Sequence, residues 1–241
     1  MANNYEHATV APSEIPLRLP QYLLWEMLTD EWHRTLVTAE TGPDEVPPPP
    51  PYFPPDDVAG TPRLALTEEP LSPEDLAAFR ELIKVHWWQM FGDLDLSDED
   101  LQKIAQVLRA ASATSVSADP SLEVELERRR EDGGLEHLKK SPCSFEEGEV
   151  TAYFYSEDRG CSEVDLIFLS YLLKDLPPEM DHIVVHGCAT CDKPRPDEFG
   201  GWAHILYRRQ DGEVEIHSFN TWAWIDETLG ELRELDGRNS G

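Results

Sequence analysis

The spacing of apolar residues predicts helices in the first part of the chain and strands in the last part. From Pro20 onward, apolar side chains recur at helical spacing, so the N-terminal segment, residues 1–38, is expected to hold one amphipathic helix. Two more helices are predicted to begin at Pro73 and Asp98, because a capping serine and several acids open each one. A further helix is predicted over residues 120–132, ending before two glycines.

A proline-rich stretch separates the N-terminal segment from the helical region that follows it. The run Pro47 to Pro51 requires extended polyproline II backbone, so residues 39–71 are interpreted as a stiff linker. A ligand for an aromatic-groove domain is the alternative interpretation of the same prolines. The helical region is assigned to residues 72–148.

After residue 148 the pattern changes to short apolar runs that are typical of strands. Strands are predicted over residues 149–156, 182–186, 202–209 and 213–219. A buried helix is expected over residues 163–175, Asp211-Gly212 is a hairpin turn signal, and a last helix follows Asn220. The fold class predicted for residues 149–241 is therefore α+β, with a small, mostly antiparallel or mixed sheet and covering helices.

The charge of the chain limits its partners. The formal net charge is -28 and the isoelectric point is about 4.4, with acids in every region. Such a chain is repelled by nucleic acid and by anionic membranes, so we expect neither contact and instead expect a basic protein partner. Salt adaptation, an acidic proteome and a surface that imitates DNA all explain this acidity, and the oligomeric state stays undetermined.

The cysteines and the apolar runs bear on the compartment. No secretory leader pattern and no apolar run of membrane-spanning length is found, so a cytoplasmic location with reduced thiols is expected. The four cysteines are Cys143, Cys161, Cys188 and Cys191.

One cluster of residues suggests zinc. His186, Cys188 and Cys191 lie close together, and Cys188-Ala-Thr-Cys191 has the spacing of half a zinc site. A second such pair is absent, so His204 or His217 would have to complete the site. We therefore expect no cofactor, with a zinc-stabilised binding domain as an alternative.

A second cluster suggests nucleophilic catalysis. Cys161 lies at the start of a predicted helix, and His204 and His217 lie on two later strands. This order resembles the papain-like NlpC/P60 peptidases, but Gly160 stands where those enzymes carry an aspartate, and Asp165 would oppose a thiolate. A structural cysteine and two sheet histidines are the alternative, and no catalytic residue is favoured.

The loop before the predicted hairpin carries a candidate binding patch. Lys193 and Arg195 lie on a proline-stiffened loop that leads through Phe199 to Gly200 and Gly201. The two cations could hold a carboxylate or phosphate. The alternative is that Arg195 pairs with a neighbouring acid and that the glycines serve a bulge.

The same loop carries a family resemblance. The run Thr190-Cys191-Asp192-Lys193-Pro194-Arg195, followed by Phe199-Gly200-Gly201, resembles a TCxKPRxxxFGG motif of uncharacterised bacterial plasmid and phage proteins. The resemblance implies an accessory protein of a mobile element, and it places the shared patch on this loop. We therefore expect an acidic, non-enzymatic protein that acts by protein binding and could imitate nucleic acid to inhibit a defence or DNA-binding protein. The Cys-His hydrolase and the zinc-stabilised domain remain the alternatives.

Overall fold

The computed structural model describes residues 4–29, 70–91, 96–114, 120–129, 134–137, 149–191, 200–221, 223–224 and 227–228. This part of the chain forms, in order, β1 (Asn4–Ala11), β2 (Ile15–Pro16), α1 (Leu19–Thr29), α2 (Pro73–Phe91), α3 (Asp98–Ala113), β3 (Glu123–Arg129), β4 (Leu135–His137), β5 (Glu149–Ser156), α4 (Glu163–Asp175), β6 (His182–Cys191), β7 (Gly200–Arg208) and β8 (Val214–Asn220).

The strands form one sheet in the order β4-β3-β5-β1-β6-β7-β8, and β2 pairs with β5 beside this path. All pairings between these strands are antiparallel. The α+β fold class predicted from the sequence is confirmed. The sheet takes strands from the N-terminal segment, from residues 72–148 and from residues 149–241, so the three regions build one structure.

Strand β1 lies at the centre of the sheet, between β5 and β6, and the sequence pattern did not reveal it. Ala8 and Val10 are buried under the helices, whereas His7 and Thr9 point to the other face. Among residues 6–11, whose burial the structure describes, Ala8 and Val10 are the two buried residues, which is a weak alternation signal.

The helix predicted over residues 120–132 is wrong, because Glu123–Arg129 form strand β3 and pair with β5 along their whole length. Val124 and Leu126 point to the helix side at alternate positions, and three glutamates occupy the opposite face. Pairing with β5 and burial of Leu126 outweigh the helical preference of the glutamates and arginines.

The helices cover one face of the sheet. Helix α4 lies on β6, β7 and β8, α1 and α3 pack on α4, and α2 packs on α3. Three rings fasten this layer to the sheet: Trp25 of α1 lies 4.8 Å from Phe168 of α4 and 5.9 Å from Phe154 of β5, measured between ring centroids. In the described part of the chain, none of the helices is both long and apolar enough to cross a membrane.

A side chain that carries an ionisable group contacts the backbone at each end of α4. At the start, the buried Asp165 carboxylate accepts hydrogen bonds from the Ser162 backbone (2.6 Å) and hydroxyl (2.8 Å) and from the backbone of Ser121 (3.0 Å). At the end, the Arg208 guanidinium donates to five backbone carbonyls, three of them at 2.8 Å or less. These contacts fix α4, and with it the residue Cys161 just before it.

Candidate functional site

A cleft opens on the helix side of the sheet, where α4 begins. Its volume is about 430 Å³, and we call it the Trp202 cleft. It is lined by Glu6, Cys161, Trp202, His204, Ser218, Phe219, Asn220 and Ala223. The lining therefore comes from β1, β7 and β8, from Cys161 in the loop before α4 and from Ala223 after β8.

Two glycines allow these elements to meet. Gly160 adopts a φ of 73°, and its N–H donates to the Glu6 carbonyl at 3.1 Å, which brings the loop before α4 against β1. Gly187 faces Trp202 across β6 and β7, and a Cβ at Gly187 would lie only 2.5 Å from the indole ring. The indole can lie across the sheet because residue 187 has no side chain.

His204 is held against the wall of the cleft. Its Nδ1 lies 2.9 Å from the Ser218 hydroxyl, which faces it across β7 and β8. Its ring centroid lies 5.2 Å from that of Trp202, at an interplanar angle of 49°. Burial lowers the pKa of His204, which favours the neutral imidazole.

Cys161 lies in the same cleft, and its surroundings oppose ionisation of the thiol. Its Sγ lies 3.7 Å from the carbonyl oxygen of its neighbour, Ser162. Burial and the nearby Asp165 carboxylate raise the pKa of the Cys161 thiol far above its ordinary value. A catalytic cysteine needs the opposite shift, so the site favours a neutral thiol.

The structure brings together two of the three residues of the hydrolase hypothesis. Cys161 and His204 line one cleft, but His217 pairs with Ile205 and therefore points to the opposite face of the sheet. Ser218 occupies the position beside His204 instead. The triad of Cys161, His204 and His217 does not converge.

The residues proposed for zinc are also divided between the two faces. His186 and Cys188 point away from the helices, whereas His204 lies on the helix side. The side chain of Cys191 is outside the described part. Within the described residues, no group of three or more His, Cys, Asp or Glu side chains is arranged to hold a metal ion.

Of the proposed binding patch, Lys193, Arg195 and Phe199 lie outside the described residues. Gly200 and Gly201 begin β7, paired with Ala189 and Cys188. The Gly201 N–H donates to the Thr221 hydroxyl at 3.0 Å, and that hydroxyl donates to the Gly201 carbonyl. Gly201 therefore fastens the start of β7 to the end of β8.

Several cleft residues escaped the sequence analysis. His204 was identified but Trp202 was not, although the two are two residues apart on a predicted strand and their common face could have been read from the alternation. Glu6 gave no such signal, because its strand was not predicted.

The sheet face opposite the helices is a second candidate surface, which we call the open face. On β6, β7 and β8 it carries His182, Val184, His186, Cys188, Ala203, Ile205, Tyr207, Glu215, His217 and Phe219. Ile205, Tyr207 and Phe219 are 41%, 43% and 44% exposed. Large apolar side chains with this exposure, grouped on adjacent strands, are typical of interaction surfaces.

Further along the same face, β3 carries a row of carboxylates. Glu123, Glu125 and Glu127 occupy alternate positions, which places them about 7 Å apart. The Tyr155 hydroxyl donates to Glu123 at 3.0 Å, and the Tyr153 hydroxyl donates to Glu127 at 3.3 Å. The tyrosines thus hold two of the three carboxylates in place.

Comparisons of this chain with protein-family models, with curated proteins and with solved structures give no match.

Proposed function

We propose that this chain is an acidic, non-enzymatic, cytoplasmic protein that acts by docking its open face against a basic protein partner. The observation that carries the proposal is the group of exposed apolar side chains on β7 and β8, Ile205, Tyr207 and Phe219. Burying a large apolar side chain completely contributes about 1.5–3 kcal/mol. Because these three are already half-buried, each would contribute about 1 kcal/mol on docking.

The charge of the chain supports a basic partner. The net charge is -28, and the apolar group shares its sheet face with the glutamate row of β3. A complementary partner would have an apolar centre flanked by lysines or arginines. Long-range attraction would speed the association at low salt.

A sharper version of the proposal is that the surface imitates DNA. The regular row of Glu123, Glu125 and Glu127 supports it, since evenly spaced negative charges are what a DNA-binding surface recognises in a phosphate backbone. The resemblance of residues 190–201 to plasmid and phage proteins agrees with an accessory role of this kind in a mobile element.

The experiment is site-specific photo-crosslinking in cells of the source organism, with the photoreactive residue at position 207 of the full-length chain. A control chain carries it at position 216, because Ile216 is 44% exposed but lies on the helix side of β8. We expect one basic protein to be captured at position 207, less of it at high salt, and none at position 216.

A matched pair of substitutions tests the same surface. Ile205→Asp should abolish capture, whereas Ile216→Asp should retain it, since the two isoleucines have similar exposure on opposite faces. Equal capture from both positions, or capture that survives Ile205→Asp, would refute docking through the open face.

A further inference from the structure

The Trp202 cleft has the chemistry of a site for a planar cation. Of the described residues that line it, Glu6 is the only acid, and none is a lysine or arginine. Within the described part of the chain, no cationic side chain pairs with the Glu6 carboxylate. An anionic ligand would meet this carboxylate and a strongly acidic protein, so the cleft disfavours anions.

The carboxylate lies beside an aromatic ring. Glu6 Oε2 and Trp202 Cζ2 are 2.5 Å and 3.4 Å from the point where a Cβ of Gly160 would lie. The two atoms are therefore at most about 6 Å apart, so the carboxylate lies beside the indole, and a cation paired with the carboxylate lies within the range of cation–π attraction. Any residue larger than glycine at position 160 would meet the Glu6 carboxylate.

Further groups can accept hydrogen bonds from the same cation. His204 Nδ1 and the Ser218 hydroxyl share one hydrogen bond. If Nδ1 donates, the Nε2 lone pair remains as an acceptor, and if the hydroxyl donates, its oxygen lone pairs remain. A hydrogen-bond acceptor is thus present with either tautomer of His204. The cleft offers this acceptor in addition to the tilted aromatic pair of Trp202 and His204.

We propose that the Trp202 cleft binds a guanidinium group, with Glu6 as its counter-ion and the Trp202 ring as its stacking surface. A guanidinium is planar, stacks on aromatic rings and presents several donors in one plane, whereas an ammonium is compact and more strongly hydrated. This inference goes beyond the proposed function, because the cleft lies on the helix side of the sheet and the open face lies on the other side. Phe219 belongs to both surfaces, so each proposal is tested at residues that the other does not use, Ile205 and Tyr207 for the open face and Glu6 and Trp202 for the cleft.

The test is a titration of the full-length chain, followed by NMR of the tryptophan indole N–H signals. The probe is N-acetyl-L-arginine amide, and its control is N-acetyl-L-citrulline amide, which has nearly the same shape but no charge. We expect the Trp202 signal, assigned with Trp202→Phe, to shift with arginine amide in the millimolar range and with citrulline amide far less. The binding should weaken as salt is added.

Variants then locate the counter-ion. Glu6→Gln should weaken binding about tenfold, the loss expected for one charge-assisted contact. Glu157→Gln removes the same charge from an exposed loop position that does not line the cleft, and should leave the affinity unchanged. Equal binding of citrulline amide, equal or tighter binding of N-acetyl-L-lysine amide, or unchanged affinity in Glu6→Gln would each overturn the proposal.

Two further probes distinguish the sources of the guanidinium. A glycyl-arginyl-glycine amide peptide represents an arginine within a protein, and free L-arginine represents a small-molecule ligand. Tighter binding of the peptide identifies a protein side chain as the natural ligand, and tighter binding of the free amino acid identifies a metabolite. Failure of both peptide and free arginine to move the Trp202 signal overturns the site.

Discussion

Replacing Arg208 with alanine is expected to destabilise the protein far more than replacing its neighbour Arg209. The Arg208 guanidinium contacts the carbonyls of Leu173, Lys174, Leu176, Pro177 and Met180, which end helix α4 and follow it. A cation at this position also interacts favourably with the helix dipole. Arg209 instead is 52% exposed and pairs with Glu215 and Asp211 at the surface.

The expected magnitude follows from these contacts. A hydrogen bond to a charged group contributes about 1.5–3 kcal/mol, but the five bonds are not additive, and water can reach some of the carbonyls when the guanidinium is removed. Arg208→Ala should therefore lower the free energy of unfolding by about 2–4 kcal/mol. Arg208→Lys keeps the positive charge but lacks the planar guanidinium group with its several donors. It should lower the free energy of unfolding by about half as much as Arg208→Ala does.

The assay is equilibrium unfolding in urea, followed by circular dichroism, on the wild type and the variants Arg208→Ala, Arg208→Lys and Arg209→Ala. The midpoint should shift without a change in the dependence on urea. Arg209→Ala should stay within about 1 kcal/mol of wild type, as exposed ion pairs do. If Arg208→Ala is no less stable than Arg209→Ala, water replaces the guanidinium fully and the reasoning is refuted.

Three other predictions concern the cleft. At pH 7.5, iodoacetamide should alkylate the exposed Cys188 much faster than Cys161, because burial and Asp165 raise the pKa of the Cys161 thiol. Peptide mass spectrometry measures the two rates, and rapid labelling of Cys161 would support the hydrolase hypothesis again. Gly187→Ala should lower the free energy of unfolding in urea by more than about 2 kcal/mol, because its Cβ would overlap the His7 carbonyl and the Trp202 ring. Gly212→Asn, in an open turn with φ of 85°, should lower it by less than about 1 kcal/mol. Since burial lowers the pKa of His204, the folded state binds fewer protons at this residue than the unfolded chain does. The stability that this group contributes is therefore present above pH 6.5 and is lost as the pH falls. The wild type should lose stability relative to His204→Gln in acid, and parallel pH profiles of the two proteins would contradict this.

The elements that the sequence predicted well are those set by neighbouring residues. The β5 strand and helix α4 were predicted with the bounds that the structure shows, and the Asp211-Gly212 turn joins β7 to β8, with Gly212 at positive φ. Strand apolarity, the Ser162 cap and the turn signal all act over a few residues. Strands β1 and β3 were missed because their burial depends on partners elsewhere in the chain.

Only part of the candidate site could be predicted from the sequence, and the reason is related. Cys161 and His204 were identified by residue type, but which strand residue stands beside His204 depends on the pairing register across the hairpin. A shift of one residue moves a side chain to the other face of the sheet. That register places Ser218 beside His204 and turns His217 away, and it could not be read from residue types alone.

The central position of β1 has a consequence for how the protein folds. In the described part of the chain, only β1 links the β4-β3-β5 half of the sheet to the β6-β7-β8 half. Ala8 pairs with Ser156 and Asn4 pairs with Cys191, so β1 is synthesised long before its partners. Each half can assemble from nearby strands, but joining them requires closing very long loops, which slows folding.

A nascent chain must therefore keep the edges of both half-sheets unpaired until β1 inserts between them, and exposed edges of this kind favour aggregation. Ligands or chaperones that hold β1 near β5 should accelerate folding more than any stabilisation of the helices. From this topology we expect the eight residues of β1, which look like a polar tail in the sequence, to limit the rate at which the whole sheet is completed.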